Sequence, residues 1–333
     1  MADPVTIYDV AARAGVSIST VSQTINRPGR VNPRTRDRVL RVIEELEYVP
    51  KAAAVSHARR GVGRIGVLAP FTPYDSYRRR LMGVLAESNG ASWDVVVYDH
   101  ESAAASMSPL LRTLPATGRL DGLLIMGLPL DDALADNLLT RGLPTVLVDS
   151  SRAEFSTVNI DDDEGGSMAA RHLLERGHRS FAFVQEPQES FAFLSQGQRR
   201  NRGFRRAVAD AGGDPDAVHT VLTSNDIAGS REALHEVLAR RPRPTAVFAH
   251  HDVLAAGLLL ECRRRGVRVP DDLAVVGFDD GSVAETAGLT TVRQPFEESG
   301  RLGTRLLRDA VRGAAEPIQR IVLGLELVVR EST

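Results

Sequence analysis

Short, unbroken apolar runs recurring at helix-length intervals constrain this chain more than any other feature. From Arg64 onward they read Ile65-Gly66-Val67-Leu68-Ala69, Val95-Val96-Val97, Leu123-Leu124-Ile125 and Val146-Leu147-Val148. They resume as Phe181-Ala182-Phe183-Val184, Ala246-Val247-Phe248-Ala249 and Ala274-Val275-Val276. A strand that is apolar on both faces has to be covered on both, and the intervening segments are long enough to be the covering helices. The pattern therefore demands parallel sheets wrapped by helices. Two successive sets predict two doubly wound lobes, each open to ligand at the carboxyl ends of its strands. The chain length of 333 residues allows two or three packed units. Residues past Thr291 are expected to return across the junction between the lobes.

The first sixty residues follow another period. Thr6 stands before Ile7, Val10, Ala11 and Ala14, which share one helical face, and Asp9 follows three residues after it as in a helix-capping pair. Gly15 suits the left-handed turn that ends such a helix. Ser17 is the next cap, with Val21 and Ile25 apolar at i and i+4. Asn32-Pro33 opens a third helix, striped by Val39, Val42, Ile43 and Leu46. Two helices joined by a glycine turn and closed by a third make the helix-turn-helix plan, and the second exposes Ile18, Ser19, Thr20, Ser22 and Gln23. Periodicity alone fits a three-helix domain with a merely polar surface equally well.

Charge separates the two regions. Residues 1–60 hold ten basic and six acidic side chains, +4, and the remainder holds 31 basic against 37 acidic, −6. A small basic module on an acidic body suggests that the head meets a polyanion. A single cysteine, Cys262, excludes an intramolecular disulfide and any multi-cysteine metal site. Amid Leu258, Leu259 and Leu260 it reads as a core residue. The longest apolar runs, such as Val253 to Leu260, fall far short of the roughly 20 residues that span a bilayer. The N-terminus lacks the apolar segment of a signal peptide, so a cytoplasmic protein without membrane contact is expected. Neither a phosphate-cradling P-loop nor a G-x-S-x-G serine elbow occurs.

The residues themselves carry a resemblance. VTIYDVAARAGVSISTVSQTIN followed by RVNPRTRDRVLRVIEELEYVP closely resembles, from Val5 to Pro50 without a gap, the DNA-binding head of the LacI/GalR family of transcription regulators. The resemblance implies that Ile18, Ser19 and Gln23 read base edges in the major groove. It implies phosphate-backbone contacts for Thr6, Tyr8, Ser17, Thr20, Ser22, Asn26, Arg30 and Thr35. The chemistry agrees, since a glutamine pairs bidentately with adenine and an isoleucine can touch a thymine methyl. Many relatives carry arginine or histidine where Gln23 stands, which implies a different half-site base. After Pro50, Lys51 to Arg60 is a helix-forming stretch too short to be stable alone. In the family such a hinge helix folds when two subunits meet on the operator and enters the minor groove, here with Ala53, Ala54 and His57. His57 takes the wedge position, where leucine is usual.

HLLERGHRSFAFV, PTAVFAHHDVLAAG, GVRVPDDLAVVGFDD and LTTVRQPFEESGRLG extend the resemblance through the body, whose fold the family shares with periplasmic sugar-binding proteins. The implied boundaries are 1–50 for the head, 51–61 for the hinge and 62–333 for an effector-binding and dimerisation domain. Its first lobe is expected over about 62–161 plus 291–322 and its second over about 162–290 plus 323–333. Effector contacts are implied for Asp149, Arg200, His251, Asp279 and Phe296, and for Phe71 and Tyr74, with Tyr77 beside them. Carboxylates accept from vicinal hydroxyls, arginine donates to ring oxygens and aromatic rings cover C–H faces, so a mono- or disaccharide is the expected effector. No cofactor or metal is expected. The family usually has asparagine where His251 stands, and Ala287-Gly288 replaces a common proline pair.

Two features invite other readings. His250, His251 and Asp252 have the composition of a metal cluster, but adjacent side chains at a strand end are expected to point apart, and Asp252 suits a helix N-terminus. Asp161-Asp162-Asp163-Glu164 likewise suits a helix start better than a magnesium site. The expected protein is thus a homodimeric repressor of operator DNA under sugar control. The rival reading is an α/β sugar-binding protein or enzyme with an accessory nucleic-acid-binding head.

Overall fold

A computed structural model of the chain describes residues 5–26, 28–46, 48, 63–72, 74–89, 93–100, 113–188, 194–313 and 317–333. The expected hinge positions Ala53, Ala54 and His57 lie outside the described residues. Two compact units emerge, Met1–Val158 with Glu297–Ile321 and Asn159–Phe296 with Val322–Thr333.

The head lies in the first unit and consists of α1 (Ile7–Ala14), α2 (Ile18–Asn26) and α3 (Pro33–Glu45). Gly15 ends α1 with φ 62°, the left-handed turn that a β-carbon would strain. Asn32 caps α3 by accepting from the Arg34 N–H at 3.0 Å. Val10, Ala11, Ala14, Val21, Ile25, Val39, Leu40, Val42, Ile43 and Tyr48 close one small core. These include nearly all the stripe positions of the sequence, so amphipathic periodicity accounts for this packing.

The body of the first unit is a six-stranded sheet. Its strands are β1 (Arg64–Ala69), β2 (Asp94–Asp99), β3 (Gly122–Met126), β4 (Thr145–Val148), β5 (Ser156–Ile160) and β11 (Arg320–Leu323). They lie in the order β11-β5-β4-β3-β1-β2. The helices with it are α4 (Asp75–Asn89), α5 (Asp132–Thr140) and α11 (Phe296–Val311).

The second unit repeats the plan. Its strands are β6 (Phe181–Gln185), β7 (His219–Leu222), β8 (Ala246–Ala249), β9 (Ala274–Asp279), β10 (Thr290–Arg293) and β12 (Glu326–Val328). The order is β12-β10-β9-β8-β6-β7, with β12 antiparallel to β10. Its helices are α6 (Asp162–Glu175), α7 (Gln196–Asp210), α8 (Ile227–Ala239), α9 (Asp252–Arg265) and α10 (Ser282–Thr286). Phe181, Phe183, Ala246, Phe248, Ala274, Val276 and Phe278 pack into one core. Ala182, Val184, Val247, Ala249 and Val275 pack into another. Alternate residues of each strand thus go to opposite faces, and both faces are covered.

The structure adds β5, β7, β10, β11 and β12, which the apolar runs did not mark, and places β10 in the other lobe from the one expected for its stretch of chain. Residues 291–296 were expected with the first lobe, yet Thr290–Arg293 pairs with β9 in the second sheet. In both sheets the chain steps outward from the first strand and then reverses to its other side. The reversal lies between β1 and β3 in the first unit and between β6 and β8 in the second. Such switch points open a crevice outside the carboxyl ends of the strands. Among the described residues no helix is long and apolar enough to cross a membrane.

Candidate functional site

The head offers a polar face around α2. Ile18 is 41% exposed and Tyr8 67%. Ser17, Ser19, Gln23 and Arg30 are exposed as well, while Thr6, Thr20, Ser22 and Thr35 are half-buried. Ser17 Oγ accepts from the Thr20 N–H at 3.1 Å and lies 2.9 Å from the Thr20 hydroxyl, so this pair caps α2. The Thr6 N–H and hydroxyl both donate to the Asp9 carboxylate, at 2.7 and 2.6 Å, and these bonds hold the Asp9 carboxyl below its ordinary range. The Asn26 side chain lies outside the description. Two polar candidate readers, Ser19 and Gln23, and the exposed Ile18 on one helix are chemically suited to base edges and a thymine methyl.

At the carboxyl edge of the first sheet, Tyr77 and Arg80 of α4 converge on Asp149, which follows β4. The Tyr77 hydroxyl donates to Asp149 Oδ2 at 3.2 Å, and Arg80 Nη2 lies 3.3 Å from the same oxygen. Tyr77 and Arg80 are both buried. Burial, with the Asp149 charge, raises the Tyr77 hydroxyl well above its ordinary value. Gly127, at φ 65°, makes this possible, since a β-carbon there would sit 1.7 Å from the Tyr77 hydroxyl oxygen. Tyr74 packs edge-on against Tyr77 with ring centroids 6.1 Å apart. Phe71 is half-buried, its N–H donating to Asp99.

The second sheet carries a denser cluster. Arg200 of α7 is buried, and its Nε donates to Asp162 Oδ1 at 2.9 Å. Its guanidinium also donates to the His250 carbonyl, approaches Asp279 at 4.0 Å and lies over the Phe278 ring at 3.7 Å. Asp279 accepts from the Gln294 amide at 2.6 Å. Phe296 is buried, with 2% of its surface exposed. Asp149, Asp279 and Asp280 have φ values of 57°, 120° and 52°, and among the described residues they are the non-glycine positions with positive φ. Backbone strain confined to aspartates at strand ends points to function there.

The pair His250-His251 departs from expectation. The rings meet edge to face, with centroids 4.2 Å apart, rather than diverging. The reason is local: β8 stops at Ala249, and His251 has already become the N-cap of α9, so strand alternation no longer directs the side chains. The helix cap is thus His251, whose Nδ1 accepts from the Leu254 N–H at 3.1 Å. Asp252 instead turns its carboxyl to the Thr291 hydroxyl and the Gly281 N–H. Glu186, His250 and His251 bring one ligand-type atom each to within 4.8 Å of one another. The run Asp161 to Glu164 is a helix start: Asp161 caps α6 through the Glu164 N–H, and Asp162 and Asp163 pair with Arg200 and Arg202.

Sequence reading missed Arg80, Gln185, Glu186 and Gln294. For Arg80 a signal existed. It precedes Gly83 by three residues as Arg200 precedes Gly203, and each of these glycines lies at a close crossing of two helices.

Residues 6–51 match the family described as bacterial regulatory proteins, lacI family, and residues 170–333 match the periplasmic binding protein-like domain. The HTH-type transcriptional regulator DegA of Bacillus subtilis is 33% identical over 339 residues, covering 98% of each chain. A solved transcriptional regulator CelR–cellobiose complex superposes with TM-score 0.71 at 33% identity, over 99% of this chain and 100% of that one. The lac repressor dimer bound to operator and the anti-inducer ONPF gives 0.70 at 25% identity, over 99% of each chain. The chain is therefore a helix-turn-helix transcriptional regulator rather than an enzyme, and it belongs to the LacI family of bacterial regulatory proteins.

Proposed function

We propose that this regulator is a cytoplasmic repressor that binds a pseudo-palindromic operator as a homodimer and answers to a neutral sugar. The carrying observation is that one chain joins an exposed α2 reading face to polar clusters fixed at the switch-point edges of two α/β units. Ile18, Ser19 and Gln23 read bases, while Thr6, Tyr8, Ser17, Thr20, Ser22, Asn26, Arg30 and Thr35 hold the backbone. Ala53, Ala54 and His57 are assigned to the minor groove. The repressor and dimer readings are supported by the lac repressor dimer on its operator, and the sugar reading by the CelR–cellobiose complex.

Electrostatics favour an uncharged effector. Arg200 is met by the carboxylates of Asp162 and Asp279, and Glu186 stands beside His250, so an anionic ligand would meet net negative charge. Hydroxyl groups instead can donate to Asp149 and Asp279, and Phe71 and Tyr74 can cover a sugar face. An effector acts by binding the operator-competent and operator-incompetent states unequally.

Fluorescence anisotropy against a library of pseudo-palindromic duplexes, with and without cellobiose, glucose and ribose, tests this reading. Salt-sensitive binding to one duplex, shifted by at least one of the sugars, is the expected result. Sequence-indifferent binding, or an affinity that none of the sugars changes, would remove it.

A further inference from the structure

We infer that His251 reads the effector solely as a hydrogen-bond donor, its Nε2–H meeting an acceptor oxygen of the bound small molecule and not a metal ion. The inference rests on the effector reading above and adds to it the chemistry of one contact.

Backbone hydrogen bonds fix both tautomers. The Leu254 N–H donates to His251 Nδ1 at 3.1 Å, and the Glu186 N–H donates to His250 Nδ1 at 3.3 Å. A neutral imidazole that accepts at one nitrogen carries its proton on the other. Each ring therefore presents Nε2–H. His250 directs its own towards Glu186 Oε2, 3.5 Å away. His251 is 7% exposed, and among the described residues its Nε2 has no hydrogen-bond partner. A buried donor left unmade is destabilising, and a ligand acceptor would relieve it.

Position and charge agree. Glu186 follows β6 and His250-His251 follow β8, so the cluster lies at the switch point of the second sheet. Gln185 Oε1, also buried and without a partner among the described residues, lies on the same edge. The charged groups around the pair are Glu186 and Arg200, with Asp252 and Asp279 beyond. Burial and the Arg200 charge keep both rings neutral. Metal coordination at Nε2 would require the lone pair that the proton occupies, and moving that proton to Nδ1 would set it against the Leu254 N–H. Two histidines and a glutamate within 4.8 Å thus form a donor site despite their metal-like composition.

Two substitutions separate the cap from the donor. In His251→Asn and His251→Asp the side chain can still accept from Leu254 N–H, but only asparagine also donates. The full chain is assayed by thermal shift with cellobiose, glucose and ribose. His251→Asn is expected to keep the response of the wild type, and His251→Asp to bind the same sugar roughly tenfold more weakly or worse. Equal responses in wild type and His251→Asp overturn the proposal. If none of these sugars stabilises the wild type, the sugar reading fails, and the donor proposal is decided by the tautomer. Two-bond proton–nitrogen correlation spectra of the full chain labelled at histidine read it without ligand, with assignment from His250→Gln and His251→Gln. Nε2–H on both rings is expected. Nδ1–H at His251 overturns the proposal, as does uptake of Zn2+ by the wild type that His251→Gln abolishes.

Discussion

At the start of α9, burial moves neighbouring ionisable side chains in opposite directions because it favours the uncharged form of each. Mainly by burial, His251 is held down to about 3 from 6.5, and Asp252 is pushed up to about 8 from 3.8. His250 is driven well below 6.5 by burial and by the charges of its neighbours. Below pH 6.5 the unfolded chain gains protons that the folded histidines refuse, so the stability they contribute is present above that pH and lost as it falls. Asp252 works the other way: the folded chain holds its extra proton from about pH 4, and the stability this confers is lost as the pH rises towards 8. His172 and His178, also held below 6.5 by burial, add to the acid limb, and against them Asp252 acts on the alkaline limb, so a maximum falls near pH 6.5 with an alkaline slope of roughly 1 kcal/mol per pH unit. Urea unfolding at about pH 5, 6.5 and 8 should find the wild type most stable at the middle value. Asp252→Asn should level the alkaline limb and His251→Asn should make the acid one shallower; unchanged limbs in both variants would place the titration elsewhere. The sequence marks His251 as a departure from the family pattern but does not show how it, His250 and Asp252 are arranged. Their directions depend on the residue at which β8 gives way to α9, and that boundary is what periodicity locates least well.

Among elements, the helix crossings matter most. A β-carbon on Gly166 of α6 would lie 1.9 Å from the Arg200 carbonyl oxygen, and one on Gly203 of α7 would lie 1.8 Å from the Asp163 carbonyl oxygen. The first unit repeats this with Gly83 of α4, 1.9 Å from the Glu297 carbonyl oxygen, and Gly300 of α11, 2.0 Å from that of Arg80. In each unit the buried arginine faces a crossing glycine with its carbonyl and reaches a carboxylate with its guanidinium. Close backbone approach therefore sets where Arg80 and Arg200 can point. Gly203→Ala should force α6 and α7 apart, cost about 1–3 kcal/mol or more and weaken the sugar response by displacing Arg200 from Asp162. Denaturant unfolding and the thermal-shift response check this; wild-type stability and response would mean that the helices separate freely. The apolar runs revealed the inner strands because these are covered on both faces. They did not reveal the edge strand β7, where Leu222 is 58% exposed, or β5, whose Ser156 and Asn159 break the run. Arg80 was missed for a related reason: only a packed crossing turns an ordinary R-x-x-G spacing into a buried ion pair.

For the whole molecule, the regulator class was legible because head and body each carry an uninterrupted pattern, whereas effector chemistry depends on side chains brought together from separate strands. The division of charge, +4 for residues 1–60 against −6 for the rest, adds a consequence for DNA binding. Of the eight residues assigned to the phosphate backbone, seven are uncharged and only Arg30 is cationic. Neutral donors position the duplex without releasing counterions, so the salt dependence they generate is small. Each phosphate neutralised by arginine contributes about 0.9 to the slope of log K against log salt. Arg30→Ala should therefore lower that slope by about 0.9 for one bound head and about 1.8 for two, which counts the heads on the operator. Gln23→Ala should leave the slope unchanged and instead cost about 1–3 kcal/mol of discrimination at one base position per half-site. Anisotropy titrations over a range of salt, on operator and on singly substituted duplexes, measure both quantities. An unchanged slope in Arg30→Ala would remove Arg30 from the phosphate contacts. A fall of about 0.9 rather than 1.8 would rule out two heads bound alike, and with them the dimeric repressor.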